Sequence, residues 1–448
     1  MNEEKALSGE QPQVAYTTGG NTWNWDVSSD YRAAALQGPA NGLKVWAGYP
    51  LVMTYSFPTG SAYFDGGNGY GTGEVRAGWA PLNAEQKAAV RKALSTWSDV
   101  ADITFVEVAD GMDVGELRFA FSSALTGSKL GHAFTLAPRS AEAGDVWLNG
   151  STSTQVFTNP ANYSAANPQD GNDFFAMRNY HTLVHEIGHA LGLSHPFFEQ
   201  GETRTTAALP VVEDTTQNTV MSYTRTLTGN IINAYPTTPM VYDILAIQSM
   251  YGYNLGHKAG DTVYDFDVTG IQMQTIWDGG GNDTIRATHA LAGSTSFRIA
   301  ANAGNPHPVL IDLREGQGSK IGFASNYSLS GGVTNLWTLS QEQYLSTVPA
   351  NVYIAYGALI ENAVGAGGND RLIGNPARNK LEGGAGNDTL DGGAGIDTVS
   401  FAGRANISGH FSSGLGIDLE AGKVTIVTQQ AFGTVIETDT LVSIENVI

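Results

Sequence analysis

The first clear periodicity along the chain lies between residues 83 and 97. Val90, Leu94 and Trp97 fall on one helical face, Glu85 sits in the first turn and Asn83 precedes the run as a cap. That spacing predicts a helix starting after Asn83. The runs Asp102-Ile-Thr-Phe-Val-Glu-Val108 and Glu116-Leu-Arg-Phe-Ala-Phe121 flank it and predict strands. A second helical pattern extends from about Asp173 to Leu191. A third is expected from Thr238 as N-cap, with Pro239 at the first helical position and apolar residues through Met250. Residues 21 to 250 therefore predict an α+β domain. Residues 1 to 20 are polar and aperiodic, which predicts a flexible arm or pro-segment.

Beyond residue 250 the helical period disappears and Gly, Asn and Asp cluster. Residues 365 to 400 divide into four nonapeptides, GAGGNDRLI, GNPARNKLE, GGAGNDTLD and GGAGIDTVS, with a relative at Asp278-Gly-Gly-Gly-Asn-Asp-Thr-Ile285. The shared pattern is GGxGxDxUx, with U a large aliphatic. Its glycines permit turns that expose carbonyls, its Asp adds a carboxylate, and calcium takes such hard oxygen ligands. The aliphatic is expected to point into a thin core between short strands. Stacked turns then give a parallel β-roll over residues 251 to 448, with calcium between its loops. A Gly/Asn-rich linker would need no fixed aliphatic. Metal-free Asp-rich loops repel one another, so the roll is expected to fold with calcium. The second repeat departs: Asn379 stands for the Asp, and Pro376 and Ala377 occupy glycine-rich positions.

Composition narrows the class. At 448 residues, two or three domains are expected, and 42% hydrophobic residues support folded cores. The formal charge of −20 argues against a nucleic-acid partner and favours cation binding. The absence of cysteine removes disulfides, thiolate zinc sites and cysteine nucleophiles. No apolar stretch reaches 18 residues, so no membrane span is expected. The polar, acidic start MNEEKALSGEQPQV lacks the features of a Sec signal, which leaves cytoplasmic residence or export by another route.

The chemistry concentrates in HTLVHEIGHALGLSH, residues 181 to 195. His185 and His189 share one helix face about one turn apart, so both imidazoles reach one ion. Glu186 can lean toward a water there. Gly192 offers a left-handed helix end, after which the chain swings His195 to the same point. Three nitrogens with a carboxylate beside them suit zinc. His181 also lies four residues from His185, but about 12 Å along the axis from His189, so one ion cannot serve all three. His181 is expected to be structural or to sit behind the ligands.

These residues resemble the serralysin family, the RTX-type metzincin zinc endopeptidases secreted by bacteria. The resemblance rests on HEIGHALGLSHP at 185 to 196, on Val220-Met-Ser-Tyr223 as a Met-turn, and on Asp243-Ile-Leu-Ala-Ile-Gln248 with Tyr251-Gly252. It extends through Trp97-Ser-Asp-Val-Ala-Asp-Ile-Thr-Phe105, Gly260-Asp-Thr-Val-Tyr264 and Trp277-Asp-Gly-Gly-Gly-Asn-Asp283, covering about residues 20 to 400. It implies a metzincin catalytic domain over 21 to 250 followed by an all-β RTX calcium-binding roll over 251 to 448. It also implies one catalytic zinc and several structural calcium ions, in an extracellular, monomeric protease of broad specificity that leaves by type I secretion.

The resemblance also implies residue roles. Glu186 would be the general base and acid, and Tyr223 a fourth zinc ligand that swings away to stabilise the oxyanion. Met221 would pack beneath the ligands, and Asp243 would be structural. Val146, Trp147, Leu148 and Asn149 would form the strand along which substrate lies antiparallel. Calcium would be held by Lys258, Gly260 and Thr262, by Asp278, Gly280 and Asp283, and by Glu361, Ala366, Gly368 and Asp370. Gly383, Gly384, Ala385, Gly386 and Asp388 would continue the set, with Gly392, Ala394 and Asp397.

The chain departs from that family in three places. Pro196-Phe-Phe-Glu199 stands where Pro-Gly-Asp is common, Leu359 replaces a threonine two residues before Glu361, and Ile444-Glu-Asn446 repeats the lead-in seen at Ile360-Glu-Asn362. A catalytically inactive, calcium-dependent RTX surface or adhesion protein is the competing class, and a zinc hydrolase of other substrates is a second.

Overall fold

The computed structural model describes residues 28–37, 51–59, 78–110, 114–126, 129–136, 142–149, 171–199, 206–225, 230–232, 235–268, 273–288, 308–322, 327–329, 341–402, 412–430 and 433–448. The expected pro-segment, residues 1 to 20, lies outside them. Contacts divide the chain into two compact units, with the change between Asn254 and Leu255 and with residues 228–234 joining the second.

The first unit is built on a twisted sheet of β1 (Leu51–Ser56), β2 (Trp79–Ala80), β3 (Ile103–Glu107), β4 (Leu117–Ser122), β5 (Gly131–Ala133) and β6 (Asp145–Asn149). Its order is β3-β1-β4-β6-β5, with β2 also pairing β4. All pairs along that order are parallel except β5 with β6, where Gly131 faces Leu148 and Ala133 faces Val146. β4 and β6 are buried along their whole length, as strands covered on both faces must be.

Among the described residues, four helices belong to this unit: α1 (Tyr31–Leu36), α2 (Ala84–Val100), α3 (Gly171–Ala190) and α4 (Val241–Tyr251). α2 starts where the sequence predicts. The Asn83 side chain accepts from Gln86 N–H at 2.9 Å, while the Gln86 side chain accepts from Asn83 N–H at 2.8 Å. Val90, Leu94 and Trp97 form its buried stripe, and the Trp97 indole donates to Val184 O of α3 at 3.3 Å.

α4 corrects an expectation. It starts at Val241, after Met240, and not at Pro239. The Asp243 carboxylate accepts from Met240 N–H at 2.8 Å, so a side chain inside the first turn, and not Thr238, sets the start.

Among the described residues, one carboxylate of the sheet lacks partners. Asp145 is 1% exposed, and neither carboxylate oxygen has a hydrogen-bond partner. Its cross-strand neighbour Arg118 pairs instead with Asp110 at 3.0 Å. Burial pushes the Asp145 carboxyl well above the usual range.

The second unit is a parallel β-roll. One sheet stacks Val263–Asp267, Thr284–Thr288, Asn362–Val364, Lys380–Glu382, Thr398–Val399 and Asn446–Val447, every pair parallel. The other stacks Leu310–Asp312, Arg371–Ile373, Thr389–Asp391 and Gly433–Val442 in parallel. The expected inward aliphatics, Ile285, Leu372, Leu381, Leu390 and Val399, are fully buried. The unit is not purely roll: it includes a helix at Gln341–Thr347 and antiparallel strands Ser412–Asp418 and Lys423–Gln430. Among the described residues, no helix is long and apolar enough to cross a membrane.

Candidate metal centre

His185 and His189 sit one turn apart on α3, their ring centroids 4.6 Å apart. The helix ends at Ala190, and Gly192 takes a φ of +106°, a conformation that a side chain would strain. The turn is pinned from two sides. Ser194 N–H donates to Leu36 O of α1 at 2.7 Å, and the Tyr251 hydroxyl of α4 donates to Leu191 O at 2.8 Å. His195 is thereby returned to the helix face, its Nε2 3.0 Å from that of His189 and 3.3 Å from that of His185.

Each ring is held from behind by Nδ1. His185 meets Val220 O at 2.8 Å, His189 meets Leu193 O at 2.8 Å, and His195 meets Glu199 Oε1 at 2.8 Å. A ring donating from Nδ1 carries its lone pair on Nε2. With that tautomer on each ring, three lone pairs converge. Burial lowers His185 to about 4 and His189 well below the ordinary value, so both are neutral. A cation suits such a group, and tetrahedral zinc with bonds of about 2.0–2.1 Å spaces its nitrogens about 3.3 Å apart. The residues fit zinc.

His181 stays out of this group. Its ring is 6.3 Å from His185 and packs on Tyr235 at 5.2 Å. The Tyr223 hydroxyl, by contrast, lies 2.7 Å from His195 Nε2, at the point where the imidazoles meet. Phe197 stacks flat on His195 at 5.0 Å. The Glu199 contact was open to sequence reasoning: an acidic residue four positions after a ligand histidine is the signal.

Glu186 is 5% exposed, and burial pushes its carboxyl up to about 8. It lies against β5, where a Cβ on Gly131 would meet Glu186 Oε1 at 2.5 Å. The segment that follows β5 also touches the end of α3, since Leu136 N–H donates to Ala190 O at 3.0 Å.

Here a second expectation is corrected. Val146 to Asn149 cannot receive a substrate strand, because β6 is paired on both sides, by β4 and β5. The edge beside Glu186 is β5, which follows β4 in the chain but lies outside β6.

Behind the ligands, Met221 is fully buried. A Cβ on Gly188 would come within 2.8 Å of its sulfur. Asp243 ties this turn to α4: its carboxylate accepts from Thr219 Oγ1 at 2.6 Å and from Val220 N–H at 2.7 Å. Burial raises it to about 7.

The residues expected to hold calcium all fall in loops, Lys258, Gly260 and Thr262 in the loop before the first roll strand and the others in loops between strands. Backbone N–H groups of one loop donate to a carboxylate of the next: Thr262 to Asp283 at 2.7 Å, Asp283 to Glu361 at 2.8 Å, Asp370 to Asp388 at 2.8 Å. Asp283 keeps its Oδ2 buried without a partner, which suits a cation. Asn379 differs: its amide donates to Glu361 O at 2.9 Å, a protein donor standing in the ladder where its neighbours present oxygen.

The comparisons agree with this division. Residues 80–201 match the matrixin peptidase family, and residues 274–288 and 364–399 match four copies of the RTX calcium-binding nonapeptide repeat. The chain is 33% identical over 352 residues to the metallopeptidase AprA of Pseudomonas marginalis, covering 73% of this chain and 61% of that protein. It is 32% identical over 358 residues to a serralysin of Proteus mirabilis, covering 74% of this chain and 60% of that protein. The chain thus spans about three fifths of the length of these relatives.

Proposed function

We propose that this chain, which carries a matrixin domain followed by RTX calcium-binding repeats, is a zinc-dependent endopeptidase whose catalytic domain spans residues 21 to 250. The observation that carries the reading is the convergence of three Nε2 lone pairs beside a buried carboxylate. His185, His189 and His195, with Tyr223 as a fourth ligand, would hold zinc, which when bound polarises a scissile carbonyl and acidifies water. Glu186 takes a proton from the attacking water and delivers it to the leaving amine. Its burial favours the protonated carboxyl that the second transfer needs, and a cation in the triad draws its pKa back down. The Tyr223 phenol donates to the developing oxyanion. Substrate adds antiparallel to the β5 edge, bound chiefly through backbone, which supports broad sequence tolerance.

The roll, residues 251 to 448, would bind several calcium ions and fold with them. Residues 1 to 20 would be a pro-segment. Calcium-coupled folding suits an extracellular monomer exported by a type I system. Casein digestion with and without a zinc chelator tests the activity: chelator-sensitive cleavage is expected, and no cleavage by the zinc-loaded protein would support the adhesion class instead.

A further inference from the structure

Tyr223 is 65% exposed. A side chain so open to water keeps its rotamer freedom unless neighbours take it away. Among the described residues its ring has three aromatic neighbours: His195 at 4.7 Å, Phe197 at 5.2 Å and His185 at 5.8 Å between centroids. Its hydroxyl lies 2.7 Å from His195 Nε2. Two of those neighbours are candidate zinc ligands. Phe197 is the third, and it has no donor atom to offer a metal. Its ring and that of Tyr223 meet at 54°, in the tilted range that aromatic pairs favour over a face-to-face sandwich.

We propose that Phe197 is a positioning residue that holds the Tyr223 phenol in its metal-facing setting and so determines how readily that ring leaves it. The proposal rests on the reading of Tyr223 as a fourth ligand that also serves the oxyanion. The loop keeps Phe197 in place from both ends. On one side Pro196 O accepts from Leu209 N–H at 2.8 Å, and on the other Glu199 meets His195 Nδ1 at 2.8 Å. Between these anchors the Phe197 ring lies parallel to the His195 imidazole, their planes within 2° and their centroids 5.0 Å apart. Tyr223 leans on both, at 56° to His195 and 54° to Phe197.

Phe197 is half-buried, and no step of the proton transfer uses it. It belongs to the run Pro196-Phe-Phe-Glu199, where this chain departs from Pro-Gly-Asp. A glycine there would offer Tyr223 no ring to lean on. A side chain that packs at once on a ligand and on a phenol beside it stabilises the setting in which the two meet. A Tyr223 that turns toward an oxyanion gives up its place at His195 Nε2 and, with it, the packing on Phe197. One aromatic pair shifts such a two-position equilibrium about 2–10-fold. Phe197 therefore acts through Tyr223, and its effect should vanish when the phenol hydroxyl is removed.

The test uses the full chain with Cu²⁺ exchanged for zinc and acetohydroxamate as the probe. A phenol oxygen on Cu²⁺ gives a visible charge-transfer band, which Tyr223→Phe should abolish. Acetohydroxamate takes the metal and displaces the phenol, so its Kd, read as loss of the band and by calorimetry, reports how firmly Tyr223 is held. Phe197→Ala is expected to bind the probe about 2–10-fold more tightly per copper-loaded protein, and Phe197→Tyr, which keeps a ring, to return toward wild type. In a Tyr223→Phe background Phe197→Ala should leave the Kd unchanged by calorimetry. An unchanged Kd in the Tyr223 background, or an equal change in both backgrounds, overturns the proposal. A copper-loaded wild type without the band, or a band that survives Tyr223→Phe, removes instead the ligation by Tyr223 on which the proposal rests, so the two failures are distinct.

Discussion

The sulfur of Met221 occupies the space that a Cβ on Gly188 would need, 2.8 Å away, with Trp97 at 3.2 Å on the same side. Gly188 lies between the ligands His185 and His189, and its missing side chain lets the turn beneath approach. Gly188→Ala would favour an isolated helix by about 1 kcal/mol. Overpacking costs about 1–3 kcal/mol and is expected to win. Thermal unfolding should therefore show net destabilisation, together with weaker zinc retention. A stabilised variant would show that the sulfur moves aside freely.

Glu199 holds His195 from behind. Glu199→Ala removes the Nδ1 acceptor that fixes the ring from behind. Zinc affinity, measured by competition with a chelator, is expected to fall about 10–100-fold. Glu199→Gln retains an acceptor oxygen and should lose less. Equal affinity in all three proteins would dismiss the contact as incidental.

Glu186→Gln separates chemistry from metal binding. Turnover is expected to fall by about 10²–10⁴ or more, with one zinc still bound by metal analysis. Substantial residual proteolysis would remove Glu186 from the proton-transfer role.

Asp145 makes stability depend on pH. Its folded pKa is raised, so the native state holds this proton more tightly than the unfolded state does. The stability this contributes is complete below the unfolded pKa of about 4 and is lost as pH rises through the raised folded value. Asp145→Asn removes that loss and should stabilise the protein at pH 7 by about 1–3 kcal/mol, the cost of an unpartnered buried group. The difference from wild type should shrink toward pH 4. Urea denaturation at both pH values, with metals fixed, reads it, and a pH-independent difference would refute the account.

Asn379→Asp places carboxylate oxygen against Glu361 O, where an amide now donates. Without calcium the roll should lose about 1–3 kcal/mol. Calcium is expected to recover that loss, because the variant restores the repeat pattern. Destabilisation that calcium does not relieve would indicate a loop that cannot hold the ion.

What the sequence discloses, and what it hides, follows the range of the interactions. The α2 helix, the histidine frame around Gly192 and the inward aliphatics are local patterns, and each is legible. The order of strands is not local. Nothing within Val146–Asn149 tells that Gly131–Ala133 lies outside it, so the expected edge strand and the observed one differ by one position in the sheet. The start of α4 depends on Asp243 reaching both Met240 and the Met-turn, a tertiary contact that outweighs Thr238 and Pro239. Asp439 and Glu445, which continue the ladder of amides and carboxylates, escape repeat reading because an excursion separates them from the nonapeptides.

The ladders have a direction. Each step from an amide to an Asp or Glu carboxylate of the next rung runs to an acceptor that comes later in the chain, as from Asp388 to Asp439 and from Asp397 to Glu445. A rung is therefore left open until its successor arrives. For a polypeptide that emerges amino end first, whether from a ribosome or through a narrow export channel, every coil waits on chain still to come, and the structure tightens backward from the newest segment.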